Sequence, residues 1–134
     1  MCNLYHHSPS VAEMASFFEG SLFKFSVKSR AANLESGYVG ADQDGLVLVN
    51  SANKSELEFS IKRWGFPAVR EKAKPITNIR NLNSSWWTGI NGDYVRQAEY
   101  RCLVPFNRFT EWDAANKRNA WFEIDAPQSF FAGI

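Results

Sequence analysis

Cysteine is scarce in this chain. Of 134 residues only Cys2 and Cys102 carry a thiol, too few for a disulfide framework. Long apolar runs are missing too, since no stretch reaches the roughly 20 residues that a membrane-spanning helix requires. The N-terminus has no basic segment followed by an apolar one, the pattern of a secretion signal. There is no G-x-S-x-G elbow, no phosphate-cradling glycine loop and no dinucleotide-binding fingerprint, so those enzyme classes are unsupported. No repeat, low-complexity tract or linker divides the chain. Charge of one sign is not in excess, with 15 Lys and Arg against 14 Asp and Glu. These absences leave a single domain over residues 1–134, long enough to bury a core, and the expectation of a soluble, cytoplasmic protein that makes no membrane contact.

Aromatic residues are plentiful, with 11 Phe, 5 Trp and 4 Tyr. They suit a packed interior or a stacking surface equally well. The near-neutral net charge conceals a basic middle. From Lys62 to Arg108 there are nine Lys or Arg and three acids, a surplus of six, while the remainder carries a deficit of five. Trp64, Trp86 and Trp87 fall within that basic stretch. Cations interleaved with flat rings are what a single-stranded nucleic-acid surface uses; a solvated basic face is the competing reading.

Ser8-Pro9-Ser10 ahead of Val11, Met14, Ala15 and Phe18 predicts a capped helix with an apolar face. Residues 20–44 read as irregular, closing in a turn at Asp42-Gln43-Asp44-Gly45. Leu46 to Val49 is a short buried strand. From Glu56 to Lys62 apolar and polar residues alternate, which predicts a second strand paired antiparallel with the first. Residues 84–96 are partly helical, weakened by Gly89 and Gly92. Arg101–Phe106, Ala120–Asp125 and Phe130–Ile134 are further strand candidates. The fold class is therefore α+β, one domain on a curved, mainly antiparallel sheet with a few helices. The chain stops within an apolar strand, as expected of a domain incomplete at its C-terminus.

Cys2 is the first candidate for chemistry. Removal of the initiator methionine would leave it N-terminal, with a thiol and a free α-amine on adjacent carbons. Both have nucleophilic forms near neutral pH, and together they can capture an aldehyde as a Schiff base and then as a thiazolidine. Cys2, His6, His7 and Cys102 are possible soft metal ligands, but their spacing lacks the paired geometry of a zinc site. Cys2 with His6 or His7 and Asn78 matches a cysteine-protease set by residue type alone. Glu111, between aromatics in Phe109-Thr110-Glu111-Trp112 just after a strand, could be a carboxyl desolvated into a general acid or base, or a surface glutamate lying over a ring. Asn78 and Arg80 share one face if Thr77–Asn81 is extended. Arg80 could grip a phosphate and Asn78 fix a nucleophile or sugar oxygen; ordinary loop hydrogen bonding is the alternative.

Taken in order, Met1-Cys2, Arg63-Trp64-Gly65-Phe66-Pro67, Thr77-Asn78-Ile79-Arg80-Asn81, Arg101-Cys102-Leu103-Val104-Pro105, Phe109-Thr110-Glu111-Trp112 and Phe131-Ala132-Gly133-Ile134 resemble the SOS response-associated peptidase (SRAP) family. Members of that family shield abasic sites in single-stranded DNA. The resemblance runs from Cys2 to Ile134 and covers the front part of a typical member. It implies a pseudo-barrel fold and a monomer, with no cofactor and no metal. It implies too that Met1 is removed by the protein itself, and that Cys2 then forms a thiazolidine crosslink with the aldehyde of an abasic site. By the same correspondence Asn78 positions the cysteine or the sugar, and Glu111 shuttles protons. Arg80 holds a backbone phosphate and Trp64 shapes the DNA-facing surface. The enzyme class implied is peptidase- and lyase-like thiol chemistry directed at DNA repair. Three features depart from the family pattern: Asn3-Leu4 stands where Gly-Arg is common, the Trp64–Ala68 block is shortened, and the later H-x-x-x-P-like segment with its catalytic histidine is missing. The alternatives are a non-covalent single-stranded nucleic-acid module and an inactive, truncated family member.

Overall fold

The computed structural model describes residues 2–8, 10–52, 56–68 and 70–134. Among the described residues nine strands form two sheets. In chain order the strands are β1 (Leu4–His7), β2 (Phe25–Val27), β3 (Gly37–Gly40), β4 (Asp44–Asn50), β5 (Leu57–Arg63), β6 (Cys102–Phe106), β7 (Arg108–Asp113), β8 (Arg118–Glu123) and β9 (Ser129–Gly133). The helices are short: α1 (Val11–Ser16), α2 (Ser29–Ala32), α3 (Ser85–Thr88) and α4 (Gly92–Arg96). One sheet has the order β3-β1-β7-β8 and the other β2-β5-β4-β6-β9. Every pairing is antiparallel except β2 with β5.

The α+β class and the antiparallel character agree with the sequence. The single curved sheet does not: there are two sheets, and they do not close into the expected pseudo-barrel. Two of the chain's passages from one sheet to the other are tight corners. One is Asn107, whose N–H donates to the His6 carbonyl at 3.0 Å between β6 and β7. The other is the turn between β3 and β4, where Asp42 takes a left-handed φ of 71°, a conformation that Asp tolerates better than most residues.

Helix α1 begins as its sequence dictates. The Ser10 side chain and the Glu13 side chain cap each other's backbone amides, a reciprocal capping box. Val11 and Met14, one turn apart, fall on the same side and pack with Ala31, Leu46, Leu48 and Phe59. This first core cluster lies between the helices and the β4–β5 pair. Strand β5 alternates as predicted, sending Leu57, Phe59 and Ile61 to this cluster. The paired register runs from Asp44–Arg63 to Asn50–Leu57.

A second cluster joins the two sheets: Cys2, Tyr5 and Val39 on one side with Phe106 on the other, flanked by Trp64, Val104, Phe109 and Phe131. Its rings are closely ordered, Phe106 and Phe131 stacking at 3.8 Å and 7°. Gly45 is required here. A Cβ at that position would lie 2.3 Å from the Tyr5 hydroxyl oxygen, so only glycine lets β4 pass beneath the Tyr5 ring.

Two stretches differ from the sequence reading. Residues 20–44 hold β2, α2 and β3, elements too short for periodicity to reveal. Phe109–Trp112 follows a strand, β6, as expected, and also forms one of its own, β7, because β6 turns directly into it at Asn107. The partly helical stretch 84–96 becomes α3 and α4, with Gly89 ending the first. Among the described residues no helix is long and apolar enough to cross a membrane.

Candidate functional site

Cys2 precedes β1 and is buried, with 6% of its surface exposed. Its thiol lies 3.8 Å from the Leu4 carbonyl oxygen. Burial pushes the thiol pKa above its ordinary value, opposed in part by backbone hydrogen bonding at Leu4 and Thr110. A raised pKa keeps the sulfur protonated near neutral pH, so it needs a base before it can attack. Met1 lies outside the described residues, and the expected self-removal of that residue with it.

The route that brings Asn78 to Cys2 starts at the end of β5. Backbone bonds from Trp64 N to Gln43 O (2.8 Å) and from Asp42 N to Trp64 O (2.7 Å) tie Trp64 to the β3–β4 turn. The Asp42 carboxylate adds a two-pronged contact to Arg63, at 2.7 and 2.5 Å, and that contact holds its carboxyl below the usual range. Gly65 then takes φ 119°, a backbone conformation open to glycine. Phe66 forms an isolated antiparallel bridge with Ile76, its ring held edge-on by Trp87 and Tyr94. That bridge lays residues 76–79 alongside the start of the chain.

The result is a grip on the Cys2 backbone. Asn78 Nδ2 donates to the Cys2 carbonyl oxygen at 2.6 Å, and the Thr77 hydroxyl donates to the same oxygen at 3.3 Å. Asn78 Nδ2 is also 3.0 Å from Thr77 Oγ1. Trp64 packs into the cluster that holds Cys2, edge-on to Tyr5 at 4.9 Å. Arg80, two residues beyond Asn78, is exposed.

Glu111 lies on the strand that runs beside β1. Strand β7 pairs with β1 through Tyr5–Phe109 and His6–Arg108. Carried two residues further, that register sets Glu111 opposite Asn3, the neighbour of Cys2. Thr110 is fully buried, and its hydroxyl contacts Asn3 Oδ1 at 3.2 Å and the Leu4 carbonyl at 3.3 Å. Glu111 is half-buried and shares a strand face with Phe109, a ring of the Cys2 cluster. Residues from three distant parts of the sequence thus meet around Cys2.

Other candidates are drawn elsewhere. His6 and His7 point to opposite faces of β1: His6 bonds Asn107 at 2.8 Å and meets the Tyr38 ring edge-on. His7 is buried, and burial lowers its pKa, with His6 adding to the effect. Trp87 is 7% exposed and packs against Phe66 and Trp86, so it is core and not a stacking platform. Three residues around Cys2 were not singled out from the sequence. They are Thr77, Thr110 and Tyr5, whose phenol pKa is raised by burial and then by the Cys102 and Cys2 thiols. The first two sit beside Asn78 and Glu111 in the motifs already marked, which was the available signal. Tyr5 gave none beyond its apolar pattern.

No protein-family model matches this sequence, and no curated protein matches it. Among solved structures the chain is similar to a Bordetella bronchiseptica protein determined as a Northeast Structural Genomics Consortium target, with a TM-score of 0.54 and 15% identity. The likeness covers 98% of this chain and 62% of the Bordetella chain. It is a likeness of fold: this α+β arrangement occurs in a solved protein about half as long again.

Proposed function

We propose that the chain is an SRAP-type abasic-site sensor, in which Cys2, freed of Met1, captures the ring-opened aldehyde of an abasic site in single-stranded DNA. The reading rests on the six sequence blocks set out above, and one structural observation supports it: Asn78 bonds the Cys2 carbonyl while the Thr110 backbone contacts the Cys2 thiol.

The chemistry balances without a cofactor. Hydrolysis of the Met1–Cys2 peptide bond releases methionine and exposes the α-amine. That amine adds to the aldehyde carbon, and loss of one water gives a Schiff base. The thiol sulfur then bonds to the same carbon, its proton passing to the former imine nitrogen, and a thiazolidine closes. A thiol kept protonated by burial needs a base for that last step, and Glu111 is the carboxylate one residue from Thr110. Asn78 anchors the Cys2 backbone, so that amine and sulfur present themselves in fixed relation. Arg80, exposed beyond Asn78, takes the phosphate, and Trp64 walls the site beside Cys2.

Intact mass spectrometry after incubation with a single-stranded oligonucleotide bearing one abasic site tests the proposal. The expected species is the protein less Met1, plus the oligonucleotide, less one water, and Cys2→Ala abolishes it. Retention of Met1 with no adduct, or salt-sensitive binding indifferent to the lesion and to Cys2, would overturn the proposal in favour of a non-covalent module.

A further inference from the structure

The Asn78 amide has two N–H donors and one carbonyl acceptor. Its nitrogen lies within hydrogen-bond distance of two oxygens, Cys2 O at 2.6 Å and Thr77 Oγ1 at 3.0 Å, so both donors are spent. The Thr77 hydroxyl has one proton, and at 3.3 Å it faces the Cys2 carbonyl; toward Asn78 it can therefore only accept. These three groups close a small ring of hydrogen bonds in which each role is forced. Flipping the amide would set its oxygen against the Cys2 carbonyl oxygen, acceptor against acceptor. The Thr77 hydroxyl would have to give up its bond to Cys2 to satisfy the flipped group.

We infer that Thr77 is a positioning residue for the Cys2 chemistry, acting by locking the flip of the Asn78 amide. The inference rests on the abasic-site reading and extends it. With the amide locked, Asn78 presents only Oδ1 to whatever enters the site. A carbonyl oxygen there can accept from the Cys2 α-amine, holding its lone pair toward the aldehyde, or from a hydroxyl of the opened sugar. Without Thr77 the amide keeps one anchor in place of two and samples the wrong face. Thr77 touches no reacting atom, since its contacts are to the Cys2 carbonyl and to Asn78.

The experiment compares maximal crosslinking rates at saturating abasic oligonucleotide for wild type, Thr77→Val, Thr77→Ser, Asn78→Ala and the Thr77→Val/Asn78→Ala pair. Thr77→Val keeps the shape and removes the hydroxyl. It should slow the maximal rate roughly tenfold, the order expected for a loosened reacting group, with half-saturating DNA concentration unchanged. Thr77→Ser restores the hydroxyl and should restore the rate to within about twofold of wild type. In the Asn78→Ala background Thr77→Val should add much less than it does in wild type, because the amide it orients is gone and only its own weaker bond to Cys2 remains to be lost. Should Thr77→Val fail to fold, Thr77→Ala carries the same expectations. A valine variant at the wild-type rate overturns the inference. So does a serine variant as slow as valine, or independent effects in the pair. Absence of any wild-type adduct is a different result: it overturns the abasic-site reading itself.

Discussion

Asn78 Nδ2 lies 2.6 Å from the carbonyl oxygen of Cys2, across 76 positions of sequence. That bond holds Cys2 by its backbone carbonyl and does not engage its thiol. Asn78→Ala removes it from a half-buried site. Such a loss costs about 1–2 kcal/mol of folding stability, measurable by urea denaturation. On the proposed function, crosslinking should fall by at least about tenfold at saturating DNA, because Cys2 loses its anchor.

Glu111→Gln keeps the shape of the side chain and removes its ability to take a proton. Loss of a general base costs roughly 10²–10⁴ in rate. The expected outcome is crosslinking slowed by two orders of magnitude or more with DNA affinity retained, read by a time course on denaturing gels beside equilibrium binding. A glutamine variant at the wild-type rate would remove Glu111 from the proposed mechanism.

Gly45 and Tyr5 form a pair that can be tested without any substrate. A Cβ on residue 45 would meet the Tyr5 hydroxyl oxygen at 2.3 Å and Val39 Cγ1 at 3.2 Å. Gly45→Ala should therefore destabilise by about 1–3 kcal/mol through overpacking. Tyr5→Phe removes the clashing oxygen, after which the nearest ring carbon lies at 3.5 Å, an ordinary contact. The double variant should recover much of the loss, so a thermal-melt cycle of the four proteins should show strong coupling.

His7 makes folding sensitive to acid. Its pKa is lowered in the folded protein by burial and by neighbouring His6, so the folded state binds its proton less readily than the unfolded chain. The stability it confers is present above the unfolded histidine value of about 6.5 and is lost as pH falls through the lower folded value. Its Nδ1 has no hydrogen-bond partner among the described residues. His7→Leu should therefore flatten the fall in melting temperature between pH 7 and pH 5 while leaving pH 8 little changed. An unchanged acid limb would assign the effect to other groups.

The thiols and Tyr5 set the opposite limb. Burial raises Cys2, Cys102 and Tyr5 alike. For each, the stabilising contribution is complete below the unfolded pKa and is lost as pH rises through the raised folded value. Melting temperature should decline above about pH 9, and Cys102→Ala should soften that decline, as followed by circular dichroism.

Much of the architecture was legible because it follows from periodicity. The alternation of Leu57, Phe59 and Ile61 announced β5, and the β4–β5 pair formed as the pattern required. Ser8-Pro9-Ser10 ahead of Val11 and Met14 announced the start of α1. Elements of three or four residues, such as β2 and α2, left no such trace, since each is shorter than the window over which a period can be seen. Strand β7 was hidden for another reason. Asn107 turns the chain from one sheet to the other without a glycine or proline to mark the corner.

The sequence alone determined the chemical inventory: a cysteine at position 2, an amide at 78, a carboxyl at 111, and a glycine at 45 and 65. Those are local properties, set by residue type and by spacing along the chain. Tertiary structure decided which of them meet. The Phe66–Ile76 bridge delivers Asn78 to Cys2, and β7 pairing with β1 carries Glu111 past Asn3, while His6 and His7 are sent to opposite faces. It also decided that the sheets stay separate and that Trp87 is core. Contacts across 70 to 110 positions depend on how strands choose partners and how loops close, and no local pattern encodes that choice.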